Sequence, residues 1–198
     1  MKLTKFLVGA VAIGLFAAGP ADAGWKLVDH AKQVKVAKGK LRVTPGESWN
    51  RDTHRPIKQG EIWTLDGTGL NELYFVGGLA EGMTLFPDVD KKHNPLPTLK
   101  KSMLLTDIPD FYESSTRVAL KTSLFEIEKV EPATFVGKPG ISFTFRYGVE
   151  ESPVLRKGIA HATLVDGNLY MITFIAPSLF YYDRDLAKAE AIMDSATL

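Results

Sequence analysis

Ile141-Ser142-Phe143-Thr144-Phe145-Arg146-Tyr147-Gly148-Val149 alternates apolar and polar positions without a break. A strand sends successive side chains to opposite faces. This segment therefore places Ile141, Phe143, Phe145, Tyr147 and Val149 on a core, with Ser142, Thr144, Arg146 and Gly148 toward water. Residues 150–153 turn the chain into a second strand at 154–165. Asp166-Gly167-Asn168 turns it again into a third at 169–176, closed by Pro177. The result is a three-stranded antiparallel meander. Phe125 and Ile127, alternating with Glu126 and Glu128, add a strand before it.

Upstream, Val34 and Val36, then Leu41 and Val43, flank a Lys38-Gly39-Lys40 turn and predict an opening hairpin that ends at Pro45-Gly46. Its modest apolar content predicts a sheet edge. Residues 61–65 and 73–76 predict two more strands around Asp66-Gly67, and Gly77-Gly78 with Gly82 interrupt the pattern. The polar, proline-bearing run at 87–97 is the longest loop and the expected mobile segment. Thr106-Asp107-Ile108-Pro109-Asp110 opens a helix over 107–120, with Asp107 as N-cap and Ile108, Phe111, Ser115, Val118 and Ala119 on one face. A last helix starts near Asp183, capped by Asp183 or Asp185. It aligns Leu186, Ala189, Ile192, Met193 and Ala196 across the sheet. These elements predict an α+β fold, a single antiparallel β-sheet flanked by helices in an α/β/α sandwich.

The first 23 residues read differently. Lys2 and Lys5 precede an apolar run at 6–18, and Ala21-Asp22-Ala23 supplies small residues for cleavage. This is the pattern of a secretory signal peptide cut after Ala23, with residues 24–198 as one domain. The run is shorter than the roughly 20 residues of a spanning helix, so neither a transmembrane nor a lipid anchor is expected. The leader holds two of the 24 basic and one of the 23 acidic residues, which leaves 22 of each. A neutral body lacks the basic footprint that phosphate contacts require, so nucleic acid is not an expected partner. Cysteine is absent, which excludes disulfides, thiolate nucleophiles and a lipidated cysteine. Export without disulfides or an anchor predicts the periplasm of a Gram-negative bacterium.

No nucleophile elbow and no phosphate-binding glycine motif occurs, and His30, His54, His93 and His161 stand singly without metal-ligand spacing. No catalytic set, metal site or cofactor is expected. Two stretches carry binding chemistry. In the first, Trp49, Arg51 and His54 are followed by Trp63. Tryptophan faces and guanidinium forks suit a small anionic or glycan ligand. The plainer reading is that the tryptophans pin the early strands to the core while Arg51 and Arg55 are solvated. In the second, Tyr181, Tyr182 and Arg184 join the last strand to the last helix and can present anchors to a partner. The plainer reading there makes Tyr182 a hydrophobic staple.

The segments Val165-Asp166-Gly167-Asn168-Leu169-Tyr170-Met171-Ile172 and Tyr181-Tyr182-Asp183-Arg184-Asp185-Leu186 are similar to a group of small, exported, uncharacterised proteobacterial proteins. The element order resembles the PsbP and Mog1-like sandwich. That resemblance implies a binding or assembly role and transfers no active-site residue. The expected function is non-catalytic binding in the periplasm, of an envelope protein or a small ligand. The alternative is a hydrolase or isomerase whose acid and base, His54 with Asp52 or Asp66, meet only on folding. A third possibility is a scaffold that pairs its sheet edge at 34–43 with a partner strand.

Overall fold

The computed structural model describes residues 24–149 and 152–198. The leader read at 1–23 lies outside the described residues. Early strands are β1 (Trp25–Val28), β2 (Val34–Lys35), β3 (Arg42–Val43), β4 (Trp49–Asp52), β5 (Gly60–Thr64) and β6 (Glu72–Leu79). Helix α1 (Ile108–Leu120) precedes β7 (Phe125–Phe135), β8 (Lys138–Val149), β9 (Ser152–Val165) and β10 (Asn168–Pro177), and α2 (Tyr181–Asp194) closes the chain. Eight strands form one antiparallel sheet in the order β1-β4-β5-β6-β10-β9-β8-β7. The meander read in the sequence forms its β7–β10 half.

A helix covers each face. On the α1 face, Phe143, Phe145 and Tyr147 pack with Ile108, Phe111 and Tyr112. On the α2 face, Trp49, Trp63, Phe75 and Phe174 pack with Tyr182, Ala189, Ile192 and Met193. Each large apolar side chain buried this way contributes about 1.5–3 kcal/mol. Strand β10 lies inside the sheet and feeds both layers. Leu169, Met171 and Ile175 face α1, while Tyr170, Ile172, Phe174 and Ala176 face α2. Burial on both faces explains its nearly unbroken apolar sequence.

Five expectations need correction. The opening hairpin is not an edge of the main sheet. Strands β2 and β3 form a separate two-stranded sheet, bridged through Arg42 to Thr197 after α2, and Val36, Ala37, Leu41 and Val43 are fully buried on the α2 face. The hairpin plugs that layer with its tip against β6. A Cβ on Gly39 would stand 2.3 Å from the Gly77 carbonyl oxygen, so this approach requires glycine. The true edges are β7 and β1.

Gly77-Gly78 does not end its strand. Leu79 pairs with Leu169 and Gly77 with Tyr170, which leaves Gly78 as the unpaired residue of a bulge at φ +91°. Helix α1 is turned from the expected face. Tyr112 and Thr116 are buried beside Ile108, Phe111 and Ser115, whereas Ala119 is exposed. Asp107 also makes no side-chain cap on α1; its carboxylate accepts the Leu104 N–H at 2.8 Å. Helix α2 begins at Tyr181, ahead of the expected cap, and Asp185 is buried within it.

Candidate functional site

The structure distributes the seven sequence candidates over three places. Trp49 and Trp63 are fully buried on the α2 face, Trp63 with its ring 4.8 Å from that of Phe75. Beside them lies a fully buried carboxylate, Glu61. It accepts the Trp63 indole N–H at 2.8 Å and the Ala37 backbone N–H at 3.1 Å. The Arg51 and Arg55 guanidiniums pair with it at 3.3 and 2.9 Å. Arg51 and Arg55 are therefore not simply solvated. They neutralise a charge that burial would otherwise make very costly.

His54 is on an exposed turn, its side chain 80% accessible and its Nδ1 3.4 Å from Asp52 Oδ1. Asp52 Oδ1 also accepts the His54 backbone N–H at 2.8 Å, an Asx turn. Asp66, the other expected partner of His54, is held by Asn71 at 3.0 Å and by Arg184. The alternative acid/base pair is thus not assembled in a concave site.

Tyr182 stacks on Phe174 with ring centres 5.8 Å apart. Burial raises its phenol to about 12. The Arg184 guanidinium sits 4.8 Å from the centre of the Tyr181 ring. It also pairs with buried Asp185 at 2.5 Å, which receives Lys188 Nζ at 3.1 Å and Asn71 Nδ2 at 3.1 Å. Burial opposes the charge on Asp185, but Arg184 and Lys188 outweigh it and hold the carboxyl below its ordinary range. Asn71 completes the network by accepting the Thr64 hydroxyl and the Leu65 N–H, each at 2.7 Å. These groups tie the start of α2 to the β5–β6 loop.

A different site lies on the α1 face. Between α1, the sheet and the segment following β6 is a cavity of about 360 Å³. Its floor is Glu72 and Tyr74 of β6, Tyr147 of β8 and Ile175 of β10. Tyr112, Thr116, Ala119 and Leu120 of α1 form one wall, and Phe86, Pro87 and Val89 form the other. The sheet register puts Glu72 directly beside Ile175. Phe86 stacks on Tyr74 at 5.9 Å and meets Tyr112 edge-on at 6.1 Å. The Tyr74 hydroxyl donates to the Leu85 carbonyl at 2.6 Å, which fixes the loop over the cavity.

Electrostatics set this cavity apart. Burial raises the Glu72 carboxyl above its ordinary range, and Arg156 opposes that shift. Burial also raises Tyr74 and Tyr112, and takes Tyr147 to about 12. All three phenols keep their protons at neutral pH and act as ring walls and donors, not bases. The Thr116 hydroxyl is bound to the Tyr112 carbonyl at 2.8 Å, so it is not a poised nucleophile. An aromatic cavity with one carboxyl group, open where Pro87, Val89, Ala119 and Leu120 are exposed, has the make-up of a small-molecule site. A larger depression of about 710 Å³ runs beside the start of α1, but Thr98, Lys100, Ser102, Asp107, Asp110 and Ser114 on its lining are all exposed.

No protein-family model matches the chain, and no curated protein matches it. Among solved structures, it is similar to the solution structure of cyanobacterial PsbP (CyanoP) from Synechocystis sp. PCC 6803. The TM-score is 0.44 at 17% identity, covering 89% of this chain and 82% of that one. It is also similar to LpqN of Mycobacterium tuberculosis, described as involved in cell envelope biogenesis. There the TM-score is 0.34 at 11% identity, covering 90% of this chain and 80% of that one.

Among the described residues, no helix is long and apolar enough to cross a membrane, and no group of three metal-ligating side chains converges. The α1-face cavity was not anticipated from the sequence. A local signal existed, since Glu72 and Tyr74 share a strand face and Tyr112 and Thr116 follow Ile108 at helical spacing. Nothing local, however, says that β6, β8 and α1 meet.

Proposed function

We propose that this chain is a periplasmic binding protein of the cell envelope that takes a small amphipathic ligand in the cavity under α1. One observation carries the reading: a cavity walled by Tyr74, Phe86, Tyr112 and Tyr147 around the Glu72 carboxyl. Its volume falls within the roughly 300–1,000 Å³ of small-molecule sites, and an apolar lining with few polar groups is their usual make-up. The leader pattern at 1–23 supports export. Fixed ring positions favour binding, because a preformed cavity avoids ordering costs when a ligand enters.

The test is a thermal-shift screen of the exported protein against its Ala119→Trp variant. Ala119 is exposed at the cavity wall, so the indole fills the site without disturbing the core. A ligand at a hundred times its Kd stabilises by about 2.7 kcal/mol. For a chain of this size that raises Tm by about 5–11 °C. Such a rise in the parent alone supports the reading; equal rises in both proteins, or none in either, refute it.

A second reading, a protein partner that adds a strand to β1, is favoured by that edge strand exposing Trp25 (42%) and Leu27 (59%). A Leu27→Pro variant that still captures an envelope partner would refute it.

A further inference from the structure

Resting on the reading of the α1-face cavity as a binding site, we propose that its ligand is an organic cation. Specifically, it is a substituted ammonium on an apolar body, with the charged head against Glu72 and the faces of the surrounding rings. Among the described residues, Glu72 is the only charged one that lines the cavity; no lysine or arginine does. An anion would meet a carboxylate there with no lining cation to offset it. Arg156 is not on the lining: it stands opposite Tyr147 in the sheet register, and its two terminal nitrogens are taken up by the Thr68 and Gly69 carbonyls at 3.0 and 3.1 Å.

No hydrogen bond or ion pair from a described residue reaches the Glu72 carboxyl. A carboxylate in apolar surroundings without a partner is costly, and an ammonium group removes that cost. Around Glu72 stand Tyr74, Phe86, Tyr112 and Tyr147. Ring faces carry negative electrostatic potential and attract ammonium groups within about 6 Å of their centres. A carboxylate with several ring faces is the arrangement such a head requires, and the remaining lining, Ile175, Ala119, Leu120 and Val89, suits an apolar body.

Three probes of nearly equal size separate the possibilities: benzyltrimethylammonium, its uncharged carbon isostere neopentylbenzene, and the anion phenylacetate. Calorimetric titration of the exported protein should show the cation bound at least about tenfold more tightly than the isostere. Glu72→Gln should erase that difference. Phe86→Leu, which keeps apolar volume and removes one ring face, should weaken the cation several-fold and leave the isostere unchanged.

Equal binding of cation and isostere overturns the inference while leaving the cavity as an apolar site. Preference for phenylacetate overturns it in favour of Arg156 as the recognising group. Failure of all three to bind also overturns it, and the Ala119→Trp screen then decides whether the cavity binds anything.

Discussion

Replacing Glu61 with glutamine tests whether the densest polar cluster of the molecule is structural or is part of a ligand groove. The carboxylate is fully buried and receives the Trp63 indole, the Ala37 N–H and two guanidiniums. Glutamine keeps the shape and one acceptor. It removes the charge facing Arg51 and Arg55 and aims an NH₂ group at donors. Breaking a buried ion pair by deleting one partner costs about 3–5 kcal/mol. The two arginine side chains are 26% and 25% exposed and can turn partly toward water, so a value near the lower end, about 3 kcal/mol, is expected.

That corresponds to a Tm lower by about 6–12 °C. Urea unfolding followed by tryptophan fluorescence reads it, because Trp49 and Trp63 pass from full burial to water. Arg51→Ala should cost about 1 kcal/mol, since Glu61 retains Arg55, Trp63 and the Ala37 N–H. Ligand affinity at the α1-face cavity should not change in either variant below its melting point. A loss under about 1 kcal/mol for Glu61→Gln would show that the cluster does not hold the hairpin and the early strands together. Equal losses for both variants would show that Arg51 alone carries it.

Three further outcomes are expected. Burial raises the folded-state pKa of Glu72 above its ordinary 4.5, so native stability is fullest below that value and declines as pH rises through the raised one. The phenols facing Glu72 do not mask this, because burial raises Tyr74, Tyr112 and Tyr147 and keeps them protonated over this range. The unfolding free energy of Glu72→Gln relative to the parent should therefore increase between about pH 4 and about pH 8, and a pH-independent difference would contradict it. Thr173→Val should be neutral or stabilising by up to about 1 kcal/mol in urea unfolding, because the buried Thr173 hydroxyl has no partner to lose; a cost above about 1 kcal/mol counts against that. Gly39→Ala should cost about 1–3 kcal/mol by driving a methyl into the Gly77 carbonyl and lifting the hairpin from β6, and an unchanged urea midpoint would refute that close approach.

The sheet was most legible where one face is wet. In β8, Phe143 and Phe145 alternate with Ser142 and Thr144, so period and burial agree. Tight turns such as Asp166-Gly167 fixed the order of the meander. The opening hairpin reads as a weak sheet face because it holds so few apolar residues. Val36, Leu41 and Val43 are in fact buried, and Val34 partly so, by docking on another layer, which composition cannot reveal. Strand β4 escaped notice because Trp49-Asn50-Arg51-Asp52 is short and polar; pairing with β1 and β5 decides its conformation.

The candidate site divides along the same line. The residue types at Trp63 and Arg51 are those of recognition surfaces, yet one acidic residue two positions before Trp63 directs both inward. The cavity draws Glu72, Tyr74, Tyr112, Tyr147 and Ile175 from four elements as far apart as β6 and β10. No window of sequence holds them together, and their convergence is a tertiary fact.

Chemical-shift mapping of the isotope-labelled protein with the best ligand from the thermal-shift screen tests the binding site most directly. Saturable perturbations should centre on Tyr74, Phe86, Tyr112, Ala119 and Ile175, with those around Trp63 and Tyr182 unmoved. Perturbations centred on the Trp49–Arg51–Trp63 cluster or on Tyr181 and Arg184, with the α1 face silent, would contradict it.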